Sequence, residues 1–311
     1  MISLALGLFV SDIFPLELFD NIRNHPENYR LLQRIPLTIA GMEEKFPIKL
    51  NEAEAGEKVF SLVFLDTETT GINKDTDKII ELGMVKAVCS ADRNIILSVD
   101  KVYDAFEDPG KPIPMEVQKL THITDDMVAG RHFNDDEIVS FLSRNTLIVA
   151  HNASFDRAFF DRRFSTLQDL SWACSLEEIP WKDYGYNGYK LEYLNIANGW
   201  FYEAHRAYVD CLALLWLLYV KPEALKALIE SSNTSTYKLI VRGNFFGKTS
   251  ELKKLGLRFD GSGQDKYWYC FDKNLEKIQQ KQQNLELSLQ SKVEFYAEIK
   301  ELNAKSRYKQ K

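Results

Sequence analysis

The chain has 311 residues, is 45% hydrophobic and 12% aromatic, and carries a formal charge of −6. Such a length exceeds what one compact domain needs, and such a composition excludes a disordered chain, so a main domain with extensions is expected. The charge is uneven: residues 1–234 hold 23 Lys+Arg against 36 Asp+Glu (−13), residues 235–311 hold 16 against 9 (+7), and the two sum to −6.

An acidic body with a basic tail suits a metal site joined to a polyanion-binding appendage, and it equally suits a solvated lysine-rich helix. Cys89, Cys174, Cys211 and Cys270 lie far apart with no C-x-x-C pairing. They read as buried thiols in a reducing cytoplasm, not as a disulfide framework or zinc site. Residues 1–10 are apolar, but no basic segment precedes them and Asp12 ends the run too early for a membrane span. A soluble, cytoplasmic protein without membrane contact is expected.

Residues 1–58 read as an N-terminal helical extension. Leu16, Leu18, Phe19 and Ile22 have helical spacing, and Leu31, Leu32 and Ile35 form a second apolar patch stopped by Pro36. No chemistry is visible there. From Val59 the pattern becomes strand-rich: the run Val59, Phe60, Leu62, Val63, Phe64, Leu65 predicts a buried strand, residues 78–89 a second and residues 94–106 a third. Short links between them predict an antiparallel meander. Helical stretches follow after Pro112 and over residues 134–142, then a short buried strand over residues 146–150 and another around Trp172. Leu191, Leu194 and Ala197 mark a further helix, and residues 212–220 are a nearly all-apolar, buried one.

Residues 223–236 read as a helix and linker, residues 237–273 as a small aromatic-rich α+β module, and residues 274–311 as a basic C-terminal helix. In the module, alternating aromatics with lysines suit a stacking surface for single strands or, equally, a small aromatic core.

Asp66 and Glu68 end the first strand. Strand side chains alternate, so both acids face one side. At about 4 Å two such charges repel by about 4 kcal/mol for an effective dielectric near 20, a penalty that a cation between them removes. Gly71 supplies the turn that leaves this tip open. Asp156 falls in the first turn of the helix after His151-Asn152, where an acid also suits the helix dipole alone. His205 and Asp210 are five residues apart, about 500° around a helix, and converge only if His205 lies on the preceding loop.

The order Asp66-Thr-Glu68-Thr-Thr-Gly71, His151-Asn-Ala-Ser-Phe-Asp156, His205-Arg-Ala-Tyr-Val-Asp210 resembles the DEDDh exonucleases of the DnaQ-like superfamily, most closely the epsilon-like proofreading subunits of bacterial DNA polymerase III. Asp108-Pro-Gly-Lys-Pro-Ile-Pro114 and Leu120-Thr-His-Ile-Thr124 also look like that pattern. The resemblance covers about residues 59–220. His122 departs from it, standing where these proteins often have glycine.

The resemblance implies an α/β, ribonuclease H-like mixed sheet flanked by helices. It implies a 3′–5′ exonuclease releasing nucleoside 5′-monophosphates from a nucleic acid 3′ end, DNA before RNA, with an exoribonuclease or a polymerase-associated binding subunit as alternatives. Two divalent cations, Mg²⁺ or Mn²⁺, suit the hard oxygens of Asp66, Glu68, Asp156 and Asp210. His205 is the expected general base, since imidazole transfers protons near neutral pH. Thr69, Thr121, Ile123 and Phe155 are the expected substrate contacts, Phe155 by stacking. A DNA polymerase or repair protein is the expected partner.

Overall fold

The computed structural model describes residues 18–36, 46–142, 146–261, 265–289 and 294–309. The apolar residues 1–10 and the start of the expected first helix, residues 15–17, lie outside them. In chain order the elements begin with α1 (Phe19–Asn24), β1 (Gln33–Arg34) and β2 (Ile48–Lys49). The meander follows as β3 (Val59–Thr69), β4 (Ile79–Ser90) and β5 (Ile95–Phe106). Helices α2 (Met115–Thr121), α3 (Asp125–Val128) and α4 (Asp135–Phe141) lead to β6 (Leu147–Ala150), α5 (Ala153–Arg163) and β7 (Ser171–Cys174). Then come α6 (Ser175–Glu178), α7 (Leu191–Ala197), β8 (Trp200–Phe201), α8 (Ala207–Val220) and α9 (Pro222–Ser232).

The main sheet has the order β2-β5-β4-β3-β6-β7. β3, β4 and β5 pair antiparallel, whereas β6 pairs parallel to both β3 and β7. β3 and β4 are buried on both faces, which is why their sequences read as apolar runs without polar alternation. Leu62, Phe64 and Val85 pack on one face against Leu212 and Leu215 of α8. Val63, Leu65 and Met84 pack on the other against Phe159 and Phe160 of α5. This is the ribonuclease H-like mixed sheet flanked by helices that the motifs imply.

Two expectations need correction. The N-terminal segment is not simply a helical extension: β1 pairs parallel with β8, Ile35 is fully buried, and β2 forms the edge of the main sheet against β5. Strands of two residues are too short to leave a periodic signal. The tail is not one basic helix either. Beyond β9 (Thr236–Gly243), α10 (Thr249–Lys254), β10 (Arg258–Asp260) and β11 (Tyr267–Asp272), helix α11 (Leu275–Leu289) stops, and β12 (Phe295–Leu302) pairs along all of β9. Tyr296 and Ile299 are three apart and mimic helical spacing, but Phe295, Ala297 and Ile299 pack together on the core at period two. The module and the tail therefore form one βαββαβ unit with strand order β10-β11-β9-β12.

Candidate active site

Asp66 and Glu68 occupy the end of β3, opposite Gly83 and Glu81 of β4. The N-terminus of α8 rests directly on Gly83. A Cβ there would lie 2.6 Å from the Ala207 carbonyl oxygen and closer still to the Tyr208 nitrogen, so no larger residue lets the helix approach. This approach delivers Asp210, and carboxylate oxygens of Asp66, Glu68 and Asp210 lie within 4.8 Å of one another. Each of the three keeps some surface open to solvent.

Asp210 is held in place at both oxygens. Its Oδ2 accepts from the backbone nitrogens of His205 (2.8 Å) and Arg206 (3.2 Å), and its Oδ1 accepts from the Tyr202 hydroxyl (3.3 Å). The first two bonds satisfy donors at the start of α8, where an acid is also favoured by the helix dipole. Glu81, fully buried on β4, accepts from the Arg206 guanidinium at 2.9 and 2.8 Å and from the Ala207 nitrogen at 2.9 Å. It fastens the same helix start to the sheet.

Asp156 stands beside this trio without joining it. It is buried in the first turn of α5, and its Oδ1 accepts from the Thr67 nitrogen (3.0 Å) and hydroxyl (2.9 Å), the residue between Asp66 and Glu68. Burial raises the pKa of all four acids, and mutual repulsion adds to it. Asp66 is pushed well above the carboxylate range by burial and then by Asp156, Asp210 and Glu68. Glu68 rises to about 8, Asp156 to about 7 against the pull of the Thr67 hydrogen bonds, and Asp210 to about 6 against its own backbone donors. Carboxylates crowded in this way are unfavourable unless a cation joins them. The donor set is oxygen only, which fits a hard divalent ion and not zinc on thiolate or imidazole.

The other expected site residues are placed as follows. His205 lies on the loop before α8 with φ 68°, and its side chain is exposed. Its convergence with Asp210 is through its backbone nitrogen. Phe155 is half-buried in the first turn of α5, its ring 4.9 Å from that of Phe159. Thr69 is buried and its hydroxyl donates to the Gly71 carbonyl at 2.6 Å. The Thr121 hydroxyl donates to the Val117 carbonyl (2.9 Å) and accepts from the Ile123 nitrogen (3.1 Å). Ile123 is fully buried with Ile80, Ile113 and Val128, so its side chain is core and the expected substrate contact is not available to it. His122 has φ 58°, the left-handed region, which explains why glycine is at home at this position.

Several residues of the site carry no motif signal. Glu81, Gly83, Thr67, Tyr202 and Arg206 position the acids without belonging to the three acidic motifs as ligands. Glu81 alone left a cue, an acid in the middle of the apolar run Ile79-Ile80-Glu81-Leu82. His151, by contrast, is structural: Nε2–H donates to the Tyr189 carbonyl (2.8 Å), Nδ1 accepts from Ser175 Oγ (2.9 Å), and burial lowers its pKa to about 4, keeping it neutral.

Next to Asp156, the side chain of Arg157 is wholly buried and turns to the C-terminal residues 303–309. It donates to the carbonyls of Arg307 (2.6 Å), Lys305 (2.7 Å), Ala304 (3.3 Å) and Gln168 (3.0 Å), and to Asp161 (3.1 Å). Arg307 in turn pairs with Glu178 at 2.8 Å, and Tyr308 donates to the same carboxylate at 2.9 Å. The end of β12 is thus clasped to the nuclease sheet.

A helix-covered mixed sheet that gathers carboxylates from separate segments at the end of its central strand defines a carboxylate-based nuclease. The chain matches the exonuclease family model (RNase_T) over residues 63–218, just over half its length, and it belongs to that family, the DnaQ-like 3′–5′ exonucleases. It is 36% identical over 155 residues to the DNA polymerase III subunit epsilon of Treponema pallidum (strain Nichols), covering 47% of this chain and 68% of that one. It is 31% identical over 172 residues to the PolC-type DNA polymerase III of Clostridium perfringens, covering 55% of this chain and 11% of that one. The chain thus spans only that 11% of the polymerase's length. Among solved structures it is similar to E. coli exonuclease I in complex with a dA16 oligonucleotide (TM-score 0.46, 14% identity, 72% of this chain and 67% of that one). It is also similar to exonuclease X in complex with 5′ overhanging duplex DNA (TM-score 0.39, 21% identity, 54% and 98%). Among the described residues no helix is long and apolar enough to cross a membrane.

Proposed function

We propose that this chain removes nucleoside 5′-monophosphates from single-stranded or frayed DNA 3′ ends. In this reading Asp66, Glu68, Asp156 and Asp210 hold two divalent cations, Mg²⁺ or Mn²⁺, and His205 is the general base. One observation carries it: Asp66, Glu68 and Asp210 bring carboxylate oxygens within 4.8 Å from two distant segments. Bound divalent ions supply charge neutralisation at the phosphate and at the leaving oxygen. Asp66 belongs to the trio and also feels Asp156 more strongly than any other charge, so it is the acid suited to being shared. Asp156, tied by one oxygen to Thr67, keeps the other for a water.

The exposed imidazole of His205 accepts the proton of the attacking water. Its backbone is anchored through Asp210, so base and acid stay registered while the ring swings. Phe155 stacks on the terminal base. In this reading Thr69 and the turn at Thr121, His122 and Ile123 lie against the terminal nucleotide, the side chain of Ile123 supporting the turn from the core. The relatives are a PolC-type DNA polymerase III and a DNA polymerase III subunit epsilon, which supports a polymerase or repair partner.

The test is incubation of 3′- and 5′-labelled DNA and RNA single strands with Mg²⁺ or Mn²⁺. Progressive loss from the 3′ end is expected, faster on DNA. A ladder that starts from the 5′ end, or internal cuts alone, would sink the reading.

A further inference from the structure

The C-terminal sheet has two unlike faces. Leu239, Val241, Trp268 and Cys270 point to one, where they form a core with Leu252 of α10 and Ile278, Leu285 and Leu289 of α11. Alternation along the strand puts Tyr267, Tyr269 and Phe271 on the other. Their rings follow one another edge to face, with centroids 5.9 and 5.5 Å apart and planes turned by 60° and 73°. Lys238 of β9 sits beside all three, its Nζ 4.8, 4.7 and 5.4 Å from the ring centroids. Arg242 lies 5.5 Å from the Tyr267 ring. Phe271 is 47% exposed, and Tyr296, opposite Arg242 on β12, is 60% exposed.

The folding of the unit does not need these rings, since the helix-covered face supplies its core. The same face carries Arg258 opposite Tyr269 and Lys300 opposite Lys238. Acids are present too: Asp260 interacts with the Tyr267 hydroxyl, Asp265 and Glu298 pair with Arg242, and Glu298 also approaches Lys300. With Glu177 of α6, which faces Arg258, the acids equal the four cations in number, so the rings rather than net charge mark this face. A row of aromatic rings with cations among them matches one chemistry closely, unpaired bases joined by phosphates. A βαββαβ order alone fixes no function.

We propose that this face binds an unpaired polynucleotide strand, with bases stacked on Tyr267, Tyr269 and Phe271 and phosphates beside Lys238 and Arg242. It rests on the exonuclease reading only in taking the bound strand to be the one degraded. β12 runs directly into residues 303–309, clasped by Arg157 beside Asp156, so the platform is tied to the hydrolytic domain.

Fluorescence anisotropy of the full chain with labelled oligo(dT) and oligo(U), in EDTA to stop hydrolysis, tests the proposal. Tyr269→Ala with Phe271→Ala is expected to weaken binding about tenfold or more. Mn²⁺-dependent hydrolysis of thymidine 5′-monophosphate p-nitrophenyl ester, too small to reach the platform, should stay unchanged. Should the double variant melt early, Phe271→Ala alone, at an already exposed ring, should weaken binding about fivefold. Photocrosslinking of 5-iodouracil strands should label residues 267–271. Unchanged affinity with crosslinks confined to residues 59–220 would overturn the platform and leave the exonuclease reading standing. Ring-dependent binding by a chain that shortens no strand would do the reverse. Comparison of the two oligonucleotides decides between DNA and RNA as the strand.

Discussion

Asp156 and Arg157 are consecutive residues of α5, both buried, and they sit in opposite electrostatic situations. Asp156 faces other acids, and its pKa is pushed to about 7 by burial with Asp210 adding to the rise. Arg157 faces five backbone carbonyls and the carboxylate of Asp161, which satisfy its guanidinium. A buried charge that is saturated with partners holds a structure together. A buried charge left among its own kind is tolerable only where something of opposite sign is meant to arrive. The contrast separates the clasp from the candidate metal site more sharply than sequence motifs do.

The comparison is broken most severely by removing a ligand from the acid side. Asp210→Asn keeps an oxygen for the His205 and Arg206 nitrogens, so the fold persists, while single-turnover hydrolysis of a labelled strand should fall by about 10³-fold or more. In EDTA at pH 8 the same variant should melt about 2–4 °C higher than the parent, the shift expected of about 1 kcal/mol. An unchanged rate would refute the ligand assignment.

On the saturated side, Arg157→Met removes the donor and strands several buried carbonyls. It should cost about 3–5 kcal/mol of stability by denaturant titration, with the activity of the remaining folded fraction nearly intact. If stability holds and the rate collapses instead, the clasp is part of the catalytic machinery after all.

Gly83→Ala sharpens the boundary between the two. It leaves every acid in the chain but pushes α8 off β4, and a displacement near 1 Å should lower the rate about 10²-fold. Thermal melts alongside distinguish displacement from unfolding.

The mildest test is pH. Glu68, Asp156 and Asp210 have folded pKa values of about 8, 7 and 6, above their ordinary values, so the folded state binds more protons than the unfolded one. The stability they lend is full below about pH 4 and is lost as pH rises through 6 to 8. Metal-free melts should therefore drop by a few degrees across that window, and Mn²⁺ should flatten the drop. A flat metal-free profile would contradict the crowding of the acids.

Much of the site was legible because it is written in local patterns. Asp66 and Glu68 end an apolar run, Asp156 falls in the first turn of a helix that follows a short apolar strand, and Asp210 opens an apolar helix. The meander and the parallel strands were readable from the same runs of buried residues. What positions the acids was not, because Glu81, Gly83 and Tyr202 act across the fold on α8 and nothing in their neighbours' spacing announces a partner 125 residues away, as between Glu81 and Arg206. β1 and β2 were too short to show a period, and β12 was hidden by apolar residues three apart. The βαββαβ unit resolved an ambiguity that spacing leaves open: one set of module aromatics is core, and the other faces outward.

The clasp also sets an order of events during synthesis. Arg157 and the Arg307 carbonyl it binds are 150 residues apart in the chain, so at about 5–20 residues per second the helix bearing Asp156 waits about 8–30 s for its partner to be made. Over that interval the guanidinium beside Asp156 lacks half of its acceptors, the carbonyls of residues 304, 305 and 307. The nuclease sheet of a nascent chain is therefore fastened to residues 303–309 only after β12 has left the ribosome.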